Sequence, residues 1–299
     1  MTILLTGATG YLGSALAEVL IADQPGAQVV SLTRRSHDYL AGSLEEVLSP
    51  EMNREVGEKT VLKVQPEVII HCAAVASSAE CERNQDEAYR VNTEFSWGLA
   101  EGAHSVGARM IHVSTDLVFE GATCPEGGFG ESDLPDPVSI YAKSKLAAEE
   151  KVVETCSNAA ICRICLLYGA RRGTKVGPLG WMIHNFKSQR PVPLYFDEWR
   201  TPAFVDEVAS ALKALSLRQE TGIFHLGGPE RVSRVEFGRL VADRYGFSAG
   251  LIKEKSRHES ESAGFRAEDV SLNSTLLCES VLQIFLSSPE RGLSLFEIS

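Results

Sequence analysis

The sequence has no apolar run that approaches the roughly 20 residues needed to cross a membrane as a helix. It does not open with a basic stretch followed by a cleavable apolar segment either, so we expect a cytoplasmic protein. Basic residues are the minority, 29 Lys and Arg against 40 Asp and Glu, for a formal net charge of −11. A surface of that sign repels nucleic acid and anionic lipid alike, so neither is an expected partner. An anionic ligand would need a local pocket of positive charge. The seven cysteines (Cys72, Cys81, Cys124, Cys156, Cys162, Cys165 and Cys278) are an odd number in mostly apolar surroundings. They suit a reducing compartment and not a disulfide framework. Cys162 and Cys165 are spaced C-x-x-C, but within Ala160–Leu167, which reads as a strand whose positions three apart face opposite sides. No cluster of His, Cys and carboxylates has ligand spacing, so no tightly bound metal is expected. Internal repeats and low-complexity tracts are lacking too.

What is present starts at the amino terminus. Thr2 to Leu5 is a short apolar strand that breaks into Gly7, Gly10 and Gly13, after which Leu12, Leu16, Val19 and Leu20 set out an apolar helix face. Strand, glycine turn and helix together present free N–H groups and a positive dipole end to a pyrophosphate. Gly7 allows the tight turn, Gly10 the approach of phosphate oxygens, and Gly13 the packing of helix on strand, with Tyr11 and Leu12 in the same turn. A second strand, Gln28 to Leu32, ends in Thr33-Arg34-Arg35. Its tip is where an acidic residue would hold the adenosine ribose of NAD; Arg34 and Arg35 suit the 2′-phosphate of NADP instead. Asp38 keeps NAD open.

Val68 to Cys72 reads as a buried strand that ends in the small residues Cys72, Ala73 and Ala74, which let a cofactor approach the backbone. A helix over Asp86 to His104 follows and contains Asn92, a secondary candidate for an active-site contact. The next strand, Arg109 to Thr115, brings Ser114, Thr115 and Asp116 to its carboxyl end, and the loop Glu120–Pro137 reads as a cover. Then comes a strong helix former in which Tyr141 and Lys145 are one turn apart on one face. A free tyrosine, with a pKa of about 10, is a sluggish acid–base group at neutral pH, and a nearby ammonium lowers that value. Lys145 could also reach the ribose hydroxyls of a nicotinamide nucleotide.

These motifs lie in the order that brings them to one crevice, and with them the chain resembles an extended short-chain dehydrogenase/reductase. It is most similar to dTDP-4-dehydrorhamnose reductases and to the related regulatory β subunit of methionine adenosyltransferase. The resemblance is carried by Thr6–Gly13, Val68–Ala74, Val113–Gly121, Tyr141–Lys145 and Arg200–Ala209, and covers about residues 1–230. It implies an α/β fold, a Rossmann-type doubly wound parallel sheet with a small C-terminal substrate lobe. The NAD(P)-binding domain would be residues 1–169 with 201–228 returning to it, and 170–200 and 229–299 would form the lobe. It also implies Thr115, Tyr141 and Lys145 at the catalytic positions, NADP as cofactor, and a nucleotide sugar as substrate. Asp116, Arg200 and Arg266 are the candidates on the substrate side, although Ala267 stands where that branch carries proline. The expected reaction is reduction of a 4-keto-6-deoxy sugar, with Tyr141 as proton donor. A sugar epimerase and a non-catalytic, cofactor-bound regulatory subunit are the alternatives. The Ala-rich faces of the Tyr141 helix fit either core packing or the homodimer contact of many relatives.

Overall fold

The first apolar run forms strand β1 (Thr2–Thr6), and the glycine turn leads directly into helix α1 (Tyr11–Asp23). The computed structural model describes residues 1–23, 27–35, 44–169, 177–260 and 266–297. Strands β2 (Gln28–Thr33) and β3 (Glu45–Leu48) come next, then α2 (Arg54–Val64) and β4 (Val68–His71). Helices α3 (Ser78–Arg83), α4 (Gln85–Tyr89) and α5 (Phe95–Val106) lead to β5 (Arg109–Thr115). They are followed by α6 (Ile140–Thr155), β6 (Ala159–Ile164) and β7 (Leu167–Tyr168). The remainder is α7 (Pro178–Lys187), β8 (Val192–Tyr195), β9 (Trp199–Arg200), β10 (Ala203–Phe204), α8 (Val205–Ser216) and β11 (Gly222–Leu226). It closes with β12 (Val232–Ser233), α9 (Arg234–Arg244), β13 (Ile252–Lys255) and α10 (Pro289–Ser294).

Seven strands pair in parallel in the order β11-β6-β5-β4-β1-β2-β3. The chain leaves β1 toward one edge and returns to β4 to run toward the other. A crevice therefore opens at the carboxyl ends of β1 and β4, where a doubly wound sheet takes its ligand. Odd and even strand positions feed two cores. Ile3, Leu5, Ile70 and Ile111 pack with Leu16 of α1 and Leu212 of α8, while Leu4, Ile69, Met110 and Ile161 pack with Val61, Leu99 and Val152 from α2, α5 and α6. The sheet is thus buried on both faces, as the near-continuous apolar strands require.

Outside the main sheet β13 pairs with β8 and β12 with β9, which brings strands from 170–200 and 229–299 together in a small lobe. Its core gathers Met182, Phe186, Leu194, Phe237 and Val241. Four expectations need correction. The apolar side chains between Ala267 and Leu282 pack with the Rossmann core, while the backbone of Glu268 and Val270 pairs with Trp199 of β9. The loop after β5 is stitched down, with Asp269 N donating to Gly121 O (3.1 Å) and Phe129 N to Ser271 O (2.8 Å), so it is a fixed wall and not a loose cover. The helix expected over Asp86 to His104 is interrupted by a π-turn at Arg90–Glu94. Strand β6 ends at Ile164, leaving Cys165 beyond it; Cys162 and Cys165 are both buried free thiols. Strand β3 begins at Glu45, after residues 36–43, which lie outside the described residues. Among the described residues no helix is long and apolar enough to cross a bilayer.

Candidate active site

The glycine turn is tight because three backbones meet there. Gly7 has φ 75°, and a Cβ on it would sit 2.7 Å from Ala73 N, at the exit of β4. A Cβ on Gly13 would fall 2.0 Å from Gly7 O, so α1 could not dock so closely on the turn with any side chain there. Thr6 ties down the neighbouring exit, its carbonyl accepting from Cys72 N (3.2 Å) and its Oγ1 from Ala73 N (3.2 Å). Gly10 N donates to Gly7 O at 2.8 Å and closes the turn. The first-turn amides of α1, including those of Leu12 and Gly13, have no intrahelical acceptor, and the helix dipole adds positive potential at this end. Backbone donors, missing side chains and small residues at Cys72–Ala74 are what a pyrophosphate needs, so the turn fits a dinucleotide.

Tyr11 behaves differently from its neighbours. Its hydroxyl donates to Gly169 O at 2.7 Å and its ring lies against Gly177, so the side chain braces the exit toward the lobe. Arg34 and Arg35 follow β2 and are exposed. Asp38 and the basic residues Arg171, Arg172 and Lys175 lie outside the described residues.

Helix α6 begins where two caps dictate. Ser139 Oγ accepts from Ala142 N (3.1 Å), and Glu82 accepts from Ile140 N (2.8 Å). That start fixes Tyr141 in the first turn, half-buried, with its hydroxyl near Thr115 at the tip of β5. Burial raises the Tyr141 pKa, and the Asp116 carboxylate raises it further, against the lowering from Thr115. The expected lowering by Lys145 is not among the effects that act on the phenol, of which burial is the largest. The phenol is therefore protonated at neutral pH. Lys145 is 2% exposed, with its ammonium 3.1 Å from His112 Nε2. Burial pulls its pKa down to about 8, opposed by Glu149 and Cys72. Burial also pushes the Cys72 thiol up to about 12, so it is no nucleophile. The Ala-rich side of α6 is core: Ala142 and Ala148 are fully buried within this chain.

Asn92 sits in the π-turn, and its amide is engaged internally. Its Oδ1 accepts from Val75 N (2.8 Å), while its Nδ2 donates to Val75 O (3.2 Å) and Ser144 Oγ (3.0 Å). Ser144 in turn donates to Tyr141 O at 2.8 Å. Asn92 thus clamps the β4 exit to the Tyr141 helix and acts as an internal brace.

Beneath α6 runs a buried polar row that the sequence reading missed. His71 pairs in register with Thr6 and His112, and Arg163 with Ser114 and His225. Glu149 of α6 accepts from Arg163 Nη2 (2.7 Å) and Nε (3.1 Å) and from Ser114 Oγ, while Arg163 Nη1 lies 3.5 Å from His225 Nε2. The signal was one polar residue inside each apolar strand: His71, His112, Arg163 and His225.

The opposite wall carries paired charges. Arg200 donates to the carbonyls of Trp199 (2.7 Å), Glu268 (3.0 Å) and Ala267 (3.3 Å), and faces Asp116 at 3.8 Å. Arg266 forks onto Glu198, with Nη2 at 2.9 Å, and stacks over Tyr195. Both arginines expected to grip substrate therefore hold the lobe together, because buried carbonyls and a buried carboxylate claim their donors first. Arg234, not singled out by sequence, faces Glu198, Arg200, Arg266 and Asp116, and its guanidinium makes no hydrogen bond among the described residues. Burial raises Asp116 to about 6, opposed by Arg200, and its Oδ2 has no hydrogen-bond partner.

The family model described as the RmlD substrate binding domain matches residues 1–291. The chain belongs to that family. It is 31% identical over 250 residues to a probable low-salt glycan biosynthesis reductase of Haloferax volcanii, covering 83% of this chain and 81% of the relative. It is 28% identical over 258 residues to methionine adenosyltransferase 2 subunit beta of Bos taurus, covering 84% and 74%. A solved dTDP-4-dehydrorhamnose reductase from Bacillus anthracis in complex with NADP superposes with a TM-score of 0.84 at 25% identity, over 99% of this chain and 98% of that one. The doubly wound sheet with its lobe is thus the architecture of known nucleotide-binding reductases.

Proposed function

We propose that this protein is a cytoplasmic NADP-dependent reductase of a nucleotide-linked 4-keto-6-deoxy sugar, similar in activity to dTDP-4-dehydrorhamnose reductase. The observation that supports it most is a phenol held protonated beside Thr115, with the Lys145 ammonium one turn along the same helix. A protonated phenol is the form that reduction of a ketone requires.

The amides around Gly7, Gly10, Leu12 and Gly13 would hold the pyrophosphate, with Cys72, Ala73 and Ala74 forming the floor. Arg34 and Arg35 would take the 2′-phosphate. NADPH, when bound, supplies the hydride. Tyr141 gives its proton to the carbonyl oxygen, Thr115 hydrogen-bonds the same oxygen, and Lys145 orients the nucleotide and carries the charge that favours the departing proton. Asp116 reaches the substrate side beside Thr115. Arg234, with no hydrogen-bonded carboxylate of its own, is the guanidinium placed to meet a diphosphate. Leu117 follows Asp116 and cannot move a proton, which disfavours elimination of water.

The test is loss of NADPH absorbance with a panel of dTDP- and other nucleotide-linked ketosugars; a panel with no turnover contradicts the proposal. The likeness to methionine adenosyltransferase 2 subunit beta favours a second reading, a non-catalytic regulatory subunit. That reading predicts a copurifying enzyme and an NADPH-bound protein that consumes none of it.

A further inference from the structure

His112 is a buried group to which the proposed reaction gives no task. It is fully buried in β5, with Nε2 3.1 Å from Lys145 Nζ and Nδ1 without a hydrogen-bond partner among the described residues. The neighbouring ring of His71, 5.2 Å away between centroids, has both nitrogens satisfied. Its Nδ1 meets Thr6 Oγ1 at 2.6 Å and its Nε2 meets Ser96 Oγ at 2.7 Å.

Donor and acceptor roles fix both tautomers. The Ser96 hydroxyl donates to Asn92 O (2.7 Å), so its oxygen must accept from His71 Nε2–H. Thr6 Oγ1 accepts from Ala73 N and so donates its own proton to His71 Nδ1. At Lys145 the ammonium has donors only, so His112 Nε2 must accept, and its proton remains on Nδ1 facing nothing. A buried N–H without an acceptor is destabilising. An apolar residue would avoid it, and the return visible in the structure is at Lys145.

We propose that His112 is a positioning residue whose Nε2 lone pair fixes the Lys145 ammonium toward the crevice and keeps it charged. Its consequence for turnover rests on the reductase reading above; the contact itself does not. Lys145 is faced by His112 from β5 and Cys72 from the end of β4, with His71 behind, and by Tyr141 and Glu149 along α6. Burial and Lys145 hold His112 well below its ordinary pKa, so it stays a neutral acceptor across the working range. Removing the acceptor disfavours the charged amine, and Lys145 then loses its proton at a lower pH.

The experiment compares His112→Leu and His112→Gln with the native protein, following NADPH binding against pH by fluorescence, without sugar. For His112→Leu the alkaline limb should move down by about one pH unit, and binding at pH 8 should weaken by up to about tenfold, while the thermal midpoint is unchanged or raised. Gln, which places an amide oxygen near the Nε2 position, should restore the limb. Unmoved limbs in both variants, or a limb displaced equally by Gln, would overturn the proposal. If the Leu variant does not fold, His112→Val, which also lacks an acceptor, takes its place with the same expected limb. Nitrogen-15 NMR of the cofactor-free protein adds an independent reading, with His71 expected as the Nε2–H form and His112 as Nδ1–H; the reverse at His112 contradicts the account. A native protein that binds NADPH but reduces no ketosugar would remove the reductase reading and leave the limb shift standing. Reduction with an unmoved limb would do the opposite.

Discussion

On the cofactor side of the crevice the polar groups are backbone amides around Gly7–Gly13, and they stand where they do because side chains are absent. On the lobe side they are long charged side chains, Arg200, Arg234 and Arg266 against Asp116 and Glu198, held by ion pairs and by carbonyls far apart in sequence. The first wall is specified within a dozen residues. The second exists only after segments from β5, β9, α9 and the 266–268 stretch have met. A contact made by the backbone tolerates little substitution, whereas a web of charges can exchange roles among its members.

The comparison breaks most sharply at Gly13. Gly13→Ala puts a methyl 2.0 Å from a backbone carbonyl, and we expect a loss of about 3 kcal/mol or more in urea denaturation, together with lost NADPH binding. Normal stability and affinity would show that the turn is not rigid.

Next in size is the response of the buried polar row to acid. Burial lowers His225 from its ordinary value to about 4, so the folded form excludes a proton that the unfolded chain takes up near pH 6.5. The stability this provides is present above pH 6.5 and lost as pH falls toward 4, by about 2–3 kcal/mol. His225→Asn, whose amide can donate to Phe129 O in place of Nδ1 (2.9 Å), should flatten that slope in thermal melts between pH 7 and 4.5.

On the lobe side, Arg266→Ala leaves the buried Glu198 carboxylate without its fork. Because Arg266 is itself 31% exposed, we expect a loss of about 2 kcal/mol and not the larger figure for a fully buried pair. Asp116→Asn is the smallest change and has the opposite sign. The folded pKa of Asp116 is raised to about 6, so ionisation weakens the fold as pH rises from about 4 through 6. The Asn variant should be about 1 kcal/mol more stable at pH 8, less than the shift alone implies because Arg200 loses its counter-ion, with the gain vanishing below pH 4.

The same contrast explains what could be read before the structure was known. The glycine turn, the strand tip at Thr115 and the Tyr141–Lys145 spacing are local patterns, and they lie where local chemistry placed them. The internal partners of Asn92, Arg200 and Arg266 were not legible, because a polar side chain's partners are decided by tertiary contacts: Val75 and Ser144 for the first, carbonyls and Glu198 for the others. Arg234 and the His71–His112–Arg163–His225 row were missed for the same reason, although a lone polar residue in an apolar strand hints at a buried partner. The pKa of Tyr141 moves opposite to expectation because desolvation, followed by the Asp116 carboxylate, sets it.

The central claim is that the Tyr141 phenol supplies the proton in a hydride-transfer reaction. Tyr141→Phe removes one oxygen and should leave the fold and NADPH affinity within about twofold of native. It should lower turnover of the accepted ketosugar by about 10²–10⁴-fold. Undiminished turnover in that variant would contradict the account.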